Sequence, residues 1–133
     1  LRDQLLTVPL SARLTLNAQL GVLFVNFEGY NIKSEAQILQ IEQAVAGLVG
    51  PLGRRVSAIV NYDHFTISPD LVDTYSSMVE RLMHAHYTSV TRYTTSAFLR
   101  VKLGEALSER GVSPYIYESR EEAERALTHL KGS

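Results

Sequence analysis

Carboxylate and imidazole side chains follow the apolar runs of this sequence, and they are the groups that could do acid–base chemistry. Such work needs a carboxylate or an imidazole held near its substrate with a tuned pKa. Glu28, Asp63 and His64 meet that description if the fold brings them together. The alternative is structural, because Asn and Asp often end strands by bonding to nearby backbone groups. We favour the structural interpretation and predict no catalytic residue.

Ligand binding asks less of the same polar side chains. In an open α/β sheet, ligands bind beyond the carboxyl ends of the strands, and the polar residues of this chain fall at those predicted positions. The predicted ligand-binding residues are Asn26, Glu28, Asn61, Asp63, His64, Arg92, Thr94 and Thr95.

Two segments favour anion chemistry. Ser68 precedes Pro69 at a predicted helix start, where a phosphate on the serine would meet free amides and the positive end of the dipole. Capping alone also explains a serine at this position, so a phosphosite at Ser68 is the lesser alternative. In the segment 92–100, RYTTSAFLR, hydroxyls and arginines lead into a predicted helix, which favours binding of an anion.

Metal and nucleotide motifs are missing from the sequence. It has no cysteine, no glycine-rich phosphate loop, no Walker lysine and no G-x-S-x-G elbow. His84 and His86 are two positions apart near the end of a predicted helix, so they point to different sides of it. We therefore predict no metal site.

Composition limits the classes of partner. Thirteen basic and fourteen acidic residues leave a formal charge of -1, which gives no electrostatic reason to expect nucleic acid. No apolar run approaches the roughly 18 residues that span a bilayer, so we predict no membrane span. The lack of cysteine suits the cytoplasm. Because the first residue is Leu rather than Met, we expect a piece of a longer protein.

Alternating strand and helix patterns predict one α/β domain over residues 1–133, with residues 1–10 either a linker or a short helix. The apolar run 56–60 indicates a strand buried on both faces. Five strands and four helices are expected, with an N-terminal antiparallel hairpin in an otherwise mainly parallel sheet. The predicted strands are 13–17, 22–27, 56–60, 89–95 and 114–117; the predicted helices are 35–49, 69–86, 97–110 and one opening after Ser119.

Local signals fix the predicted helix starts and inward faces. Ser34 with Gln37, and Ser119 with Glu122, form capping boxes, while Ser68 is expected to cap the helix that follows it. The inward stripes have spacings of three and four residues. They are Ile38, Ile41, Val45 and Leu48; then Leu71, Tyr75, Met78, Val79 and Leu82; then Leu99, Leu103, Ala106 and Leu107; and last Ala123, Ala126, Leu127 and Leu130.

The element order β-β-α-β-α-β-α-β-α resembles the layout of STAS-type (anti-sigma-factor-antagonist-like) domains, whose members carry a phosphorylatable Ser or Thr near the helix start occupied here by Ser68. Three segments also resemble the C-terminal region of long bacterial acyl-CoA transferases of the acetate/3-ketoacid or propionate CoA-transferase-like kind. They are 22–29 (VLFVNFEG), 58–71 (AIVNYDHFTISPDL) and 89–104 (SVTRYTTSAFLRVKLG). This second resemblance covers residues from about Pro9 to Leu130.

The transferase resemblance implies a parent enzyme that moves CoA between carboxylic acids through a glutamyl-CoA thioester. It implies that this glutamate lies in other domains, and Glu28 in NFEG has no matching motif. The chain is then a non-catalytic accessory domain, with no cofactor of its own and CoA thioesters as substrates of the parent. Its expected partners are the upstream catalytic domains, with a homo-oligomer as a further expectation. The alternatives are an acyl/CoA-type ligand-binding domain and a phospho-regulated switch.

Overall fold

The computed structural model describes residues 8–112, 116–119 and 121–126. The strands are β1 (Leu14–Asn17), β2 (Val22–Asn26), β3 (Asn31–Ile32), β4 (Val56–Asn61), β5 (Thr66–Ile67) and β6 (Tyr87–Tyr93). Four of them form one sheet in the order β1-β2-β4-β6, with β1 antiparallel to β2 and the other pairs parallel. An isolated parallel bridge joins Tyr93 to Tyr117 beyond the edge of β6.

The α/β class, the N-terminal hairpin and the mainly parallel sheet are thus confirmed. The described residues give four strands in this sheet plus the bridge at Tyr117, where the sequence predicts a fifth strand. Most of that predicted strand, and residues 1–7 of the predicted linker, lie outside the described ranges. Residues 10–13 form a short 3-10 turn that leads into the hairpin.

Three helices follow the strands at nearly their predicted bounds. They are α1 (Glu35–Val49), α2 (Val72–Ala85) and α3 (Ala97–Glu109), and residues 121–126 form a further helical segment. Leu127 and Leu130, predicted to face inward from that segment, lie outside the described residues. Among the described residues, no helix is both long and apolar enough to cross a membrane.

The three helices share a core on one side of the sheet. Right-handed crossovers between strands that succeed one another in a single direction place the helices on the same face. Alternate residues of β2 and β4, among them Leu23 and Ala58, join this core with no exposed surface. Val22, Ile59 and Tyr93 belong to a smaller cluster that includes Ala123 from the segment 121–126.

Helix α1 starts as predicted but differs in one inward residue. The capping box is present, with the Ser34 hydroxyl accepting from the Gln37 amide and the Gln37 side chain accepting from the Ser34 amide. Leu48 is 38% exposed, and Val49 is buried in its place. At 100° per residue, position 49 returns to within about 20° of Ile38, whereas position 48 lies about 80° away.

Helix α2 buries its whole predicted stripe, from Leu71 to Leu82. The prediction that Ser68 caps it with its side chain is wrong, because the Ser68 hydroxyl makes no capping bond. The helix is entered through a 3-10 turn, Pro69–Leu71, in which the Ser68 carbonyl accepts from the Leu71 amide at 2.9 Å. Backbone thus replaces side chain at this helix start.

A second, two-stranded sheet was not predicted. Its strands β3 and β5 are two residues each and pair in parallel, which is too short to leave a periodic pattern in the sequence. The pairing continues the neighbourhood of β2 and β4 into the loops beyond them. The Gly29 amide donates to the Asp63 carbonyl at 3.0 Å, and the Thr66 amide donates to the Tyr30 carbonyl at 3.0 Å. The loops at the carboxyl edge are therefore held side by side.

Candidate functional site

Three of the predicted ligand-binding residues meet where β2 and β4 end. Asn26 and Asn61 are partners in the strand register, and the Asn61 Nδ2 donates to the Asn26 Oδ1 at 3.2 Å. The Glu28 Oε1 lies 3.5 Å from the same Nδ2. The Asn26 Oδ1 also accepts from the Glu28 amide at 3.1 Å, so one oxygen organises the turn out of β2. We call these three residues the amide cluster.

Arg13 positions this cluster from beneath, and sequence reasoning did not identify it. It is 3% exposed, and its Nη1 donates to the Asn26 carbonyl at 3.1 Å and to the Glu28 carbonyl at 2.7 Å. Its guanidinium lies 4.9 Å from the centre of the Tyr30 ring. Burial lowers the pKa of Arg13, while Tyr30 and Glu28 oppose that shift. No feature of the sequence singles out this arginine, since its position is that of an outward residue at the start of a predicted strand.

A groove of about 390 Å³ lies beside the amide cluster. Phe24, Ile59 and Tyr93 contribute an apolar floor, because they alternate with the core-facing residues and so face the other side of the sheet. The cluster supplies the polar end. Among the described residues that line this open-face groove, Glu28 carries the only formal charge. The open-face groove is therefore suited to an amphipathic ligand, whose apolar part would lie on the floor and whose polar part would meet the hydrogen-bond acceptors of the amide cluster.

Asp63 and Thr95 join the loops after β4 and β6. The Asp63 Oδ1 accepts from the Thr95 amide at 2.7 Å and from the Thr95 hydroxyl at 3.1 Å. The Asp63 amide in turn donates to the Asn61 side chain at 2.8 Å. Thr94 is fully buried, with its hydroxyl 3.3 Å from the Tyr62 carbonyl. These contacts match the structural interpretation, in which polar residues end strands and fasten loops.

Replacing Asp63 by Ala is expected to lower the free energy of unfolding by about 1–2 kcal/mol, because two hydrogen bonds to a carboxylate are lost at a half-exposed site. Thr95→Ala should cost less, since it removes the hydroxyl but keeps the amide donor. Urea denaturation of both variants checks the ranking. Asp70→Ala, at an exposed acid outside this network, is the control. A cost for Asp63→Ala equal to the control would contradict the assignment.

Three further predicted site residues lie neither in the amide cluster nor among the contacts of Asp63, Thr94 and Thr95. His64 is exposed and has a φ of 55°, in the left-handed region. Ser68 lies at the end of the small sheet, where its amide donates to the Ile32 carbonyl at 3.0 Å. Arg92 is 1% exposed and points to the helix side of the sheet.

The segment 92–100 does not converge on an anion site. The Arg100 Nη1 donates to the Thr94 carbonyl at 2.7 Å, and its Nη2 lies 3.9 Å from the Glu118 carboxylate. The Ser96 hydroxyl caps α3 by accepting from the Leu99 amide at 3.2 Å. The groups that suggested anion binding are thus used to build the start of α3.

Arg92 instead belongs to a buried group of tyrosines around a small cavity of about 20 Å³. The hydroxyls of Tyr62 and Tyr75 are 2.6 Å apart. Burial raises the pKa of Tyr62, of Tyr75 and of Tyr87, and the cation of Arg92 opposes each shift. The tyrosines are therefore neutral and the group serves packing.

Comparisons with known proteins identify no relative. No protein-family model, no curated protein and no solved structure matches the chain. In the described part of the chain, no three His, Asp or Glu side chains form a group that could hold a metal ion. Function is therefore inferred from the geometry above and from the resemblances seen in the sequence.

Proposed function

We propose that the chain is a non-catalytic interaction domain with STAS-like topology, appended to the catalytic domains of an acyl-CoA:carboxylate CoA-transferase. The observation that carries the interaction role is the exposure of Phe98 and Val101 on α3. Phe98 is 73% exposed and Val101 is 58% exposed. The three sequence segments described above support the choice of parent, and the hairpin followed by parallel strands supports the STAS-like layout.

Helix α3 is apolar on two sides. Leu103 and Leu107 are buried against the sheet and α2, as a surface helix requires. Phe98 and Val101 are three positions apart, so they share another side of the helix, where Lys102 lies with its ammonium 6.0 Å from the Phe98 ring. Exposed aromatic and aliphatic side chains that lie together mark surfaces for protein contact. We call Phe98 and Val101 the α3 patch.

The polar side chains at the carboxyl ends of the parallel strands, which we call the polar rim, support the same role. The Asp63 carboxylate is occupied by the two donors of Thr95, and the amide cluster is bonded within itself. Groups used in this way hold loops in place. We therefore assign the thioester chemistry to the parent's catalytic domains and docking to this domain.

Binding to the separately produced catalytic domains of a long acyl-CoA transferase tests the proposal. The chain should bind them, and the double variant Phe98→Ser/Val101→Ser should bind at least about tenfold more weakly, since such anchors carry much of an interface's energy. The control is Leu39→Ser/Leu48→Ser, which removes two exposed leucines from α1. Equal loss in both variants would refute the α3 patch, and CoA transfer by the isolated chain would refute the non-catalytic role.

A second candidate function is favoured by the open-face groove, whose size falls in the range of small-molecule sites. Its apolar floor suits an acyl chain, whereas Glu28 repels the phosphates of CoA. Calorimetry with an uncharged acyl-pantetheine thioester, which carries the acyl chain without the phosphates of CoA, separates the two functions. Heat of binding that the native chain gives, and that is lost when a residue lining the groove is replaced, favours the ligand-binding domain. No heat of binding to the native chain favours docking alone. The phospho-regulated alternative predicts that Ser68→Asp changes partner binding while Ser68→Ala does not.

A further inference from the structure

A second groove, of about 460 Å³, lies at the opposite end of the sheet from the amide cluster. Its lining includes Arg54 and Arg55, which precede β4, together with Ser57, Thr88, Ser89 and Leu20. Among the described residues that line it, none is acidic, so its formal charge is positive. We call it the basic groove.

A bulge in the sheet gathers three hydroxyls in this groove. The register of β4 with β6 passes from Val56–Tyr87 to Ser57–Ser89, which leaves Thr88 as the extra residue. The Ser57 hydroxyl is 3.2 Å from that of Thr88 and 3.1 Å from that of Ser89. Ser57 itself is only 5% exposed, so the sheet holds in place the central hydroxyl of these three.

The donors in the groove exceed those that the described contacts use. Three hydroxyls carry three protons, and their two mutual hydrogen bonds use two of them. Each guanidinium has five N–H donors. Arg54 donates to the Ala18 carbonyl, and Arg55 lies 3.5 Å from the Tyr87 carbonyl. The remaining donors suit a ligand that only accepts hydrogen bonds and carries negative charge.

We infer that the basic groove binds the phosphate group of a small organic phosphate ester. Arginine pairs with phosphate oxygens through parallel N–H donors, and the hydroxyl cluster supplies a further donor from the floor. Leu20, which is 61% exposed at the edge of the groove, gives the organic part of the ester an apolar contact. This site is independent of the proposed function, since it lies at the other end of the sheet from the predicted rim.

The test is an NMR titration of the full chain with inorganic phosphate and with n-butyl phosphate, at ionic strength held constant with sodium chloride. Amide shifts at Gly21, Ser57 and Ser89 should saturate with a Kd on the order of 1 mM. The butyl ester should bind more tightly than inorganic phosphate, because its alkyl chain contacts Leu20. Equal affinity would limit the site to the free anion and overturn the assignment of an ester.

Charge-matched variants make the test specific. Arg54→Gln/Arg55→Gln should weaken phosphate binding at least about tenfold. The control Lys33→Gln/Arg125→Gln removes the same charge at exposed positions outside the groove and should leave the affinity unchanged. Ser57→Ala keeps the charge of the groove and should still weaken phosphate binding. If Arg54→Gln/Arg55→Gln does not fold, the single variants Ser57→Ala and Arg55→Gln are measured in its place. Equal weakening in the control, or shifts that chloride alone reproduces, would mean an adventitious ion only and would refute the site.

Discussion

Arg13→Ala is expected to lower the free energy of unfolding by about 2–4 kcal/mol, because hydrogen bonds from a buried cation and its contact with an aromatic ring are lost together. The guanidinium donates to the carbonyls of Asn26 and Glu28 and lies over Tyr30. Removing it leaves two carbonyls without that donor at the turn out of β2. Urea denaturation followed by circular dichroism measures the loss.

Arg13→Lys separates charge from geometry at this position. A lysine keeps the cation but has neither the Nε–H, which lies 3.4 Å from the Val8 carbonyl, nor the planar guanidinium that lies over the Tyr30 ring, so it should recover less than half of the lost stability. The control Arg125→Ala removes an exposed arginine from the segment 121–126. A cost for Arg13→Ala within about 0.5 kcal/mol of the control, which is typical of surface substitutions, would contradict the role given to Arg13.

The rim should also respond locally to Arg13→Ala. The Phe27 amide donates to the Asn61 carbonyl at the end of β4, and the Gly29 amide donates to the Asp63 carbonyl in the loop that follows. Hydrogen exchange at these two amides should quicken more than exchange in α1. Such a pattern would connect the stability of the turn to the shape of the amide cluster. Uniform acceleration across the chain would instead assign Arg13 to global stability alone.

Local signals in the sequence predicted what depends on neighbours along the chain. The start of α1 follows from Ser34 and Gln37, which bond within one turn, and the buried run of β4 follows from its composition. Leu48 was wrongly predicted to face inward, because residues spaced three and four positions apart do not keep one fixed direction around a helix. The sheet beneath the helix decides which residue is the last to be buried, and that residue is Val49. Bounds near strong caps are therefore predictable, and inward residues near a helix end are less so.

The candidate site was predictable only in its location. Asn26 and Asn61 end neighbouring strands, so their meeting follows from a parallel sheet. The side of the sheet to which Arg92 points does not follow, because alternation separates two faces without telling which one the helices cover. Its charge suggested the rim, yet its neighbours in space are tyrosines. The bulge at Thr88 also left no signal, since it depends on the register between two strands distant in sequence.

The buried tyrosine pair gives the second large effect. Tyr62→Phe or Tyr75→Phe alone should lower the free energy of unfolding by about 1–3 kcal/mol, because each leaves the other hydroxyl buried without that partner. Tyr62→Phe should cost more, since the Tyr62 hydroxyl also interacts with Arg92. The double variant should cost less than the sum of the two single variants, which a double-mutant cycle measures. Additive costs would contradict a direct bond between the hydroxyls.

Tyr30→Phe, at a half-buried ring, is the control for losing a tyrosine hydroxyl and should cost less than either single variant.

The pH dependence of stability offers an independent readout of the same pair. Burial raises the pKa of both tyrosines in the folded chain. Their neutral forms therefore contribute stability that is complete below the unfolded tyrosine pKa of about 10 and declines as the pH rises beyond it. The native chain should lose stability above that pH, and Tyr62→Phe/Tyr75→Phe should lose it less steeply, because phenylalanine has no proton to release. Urea midpoints measured from pH 7 to pH 11 check the slope. If the slope were the same in the double variant, the two phenols would ionise as readily in the folded chain as in water. That result would contradict the raised pKa of both tyrosines.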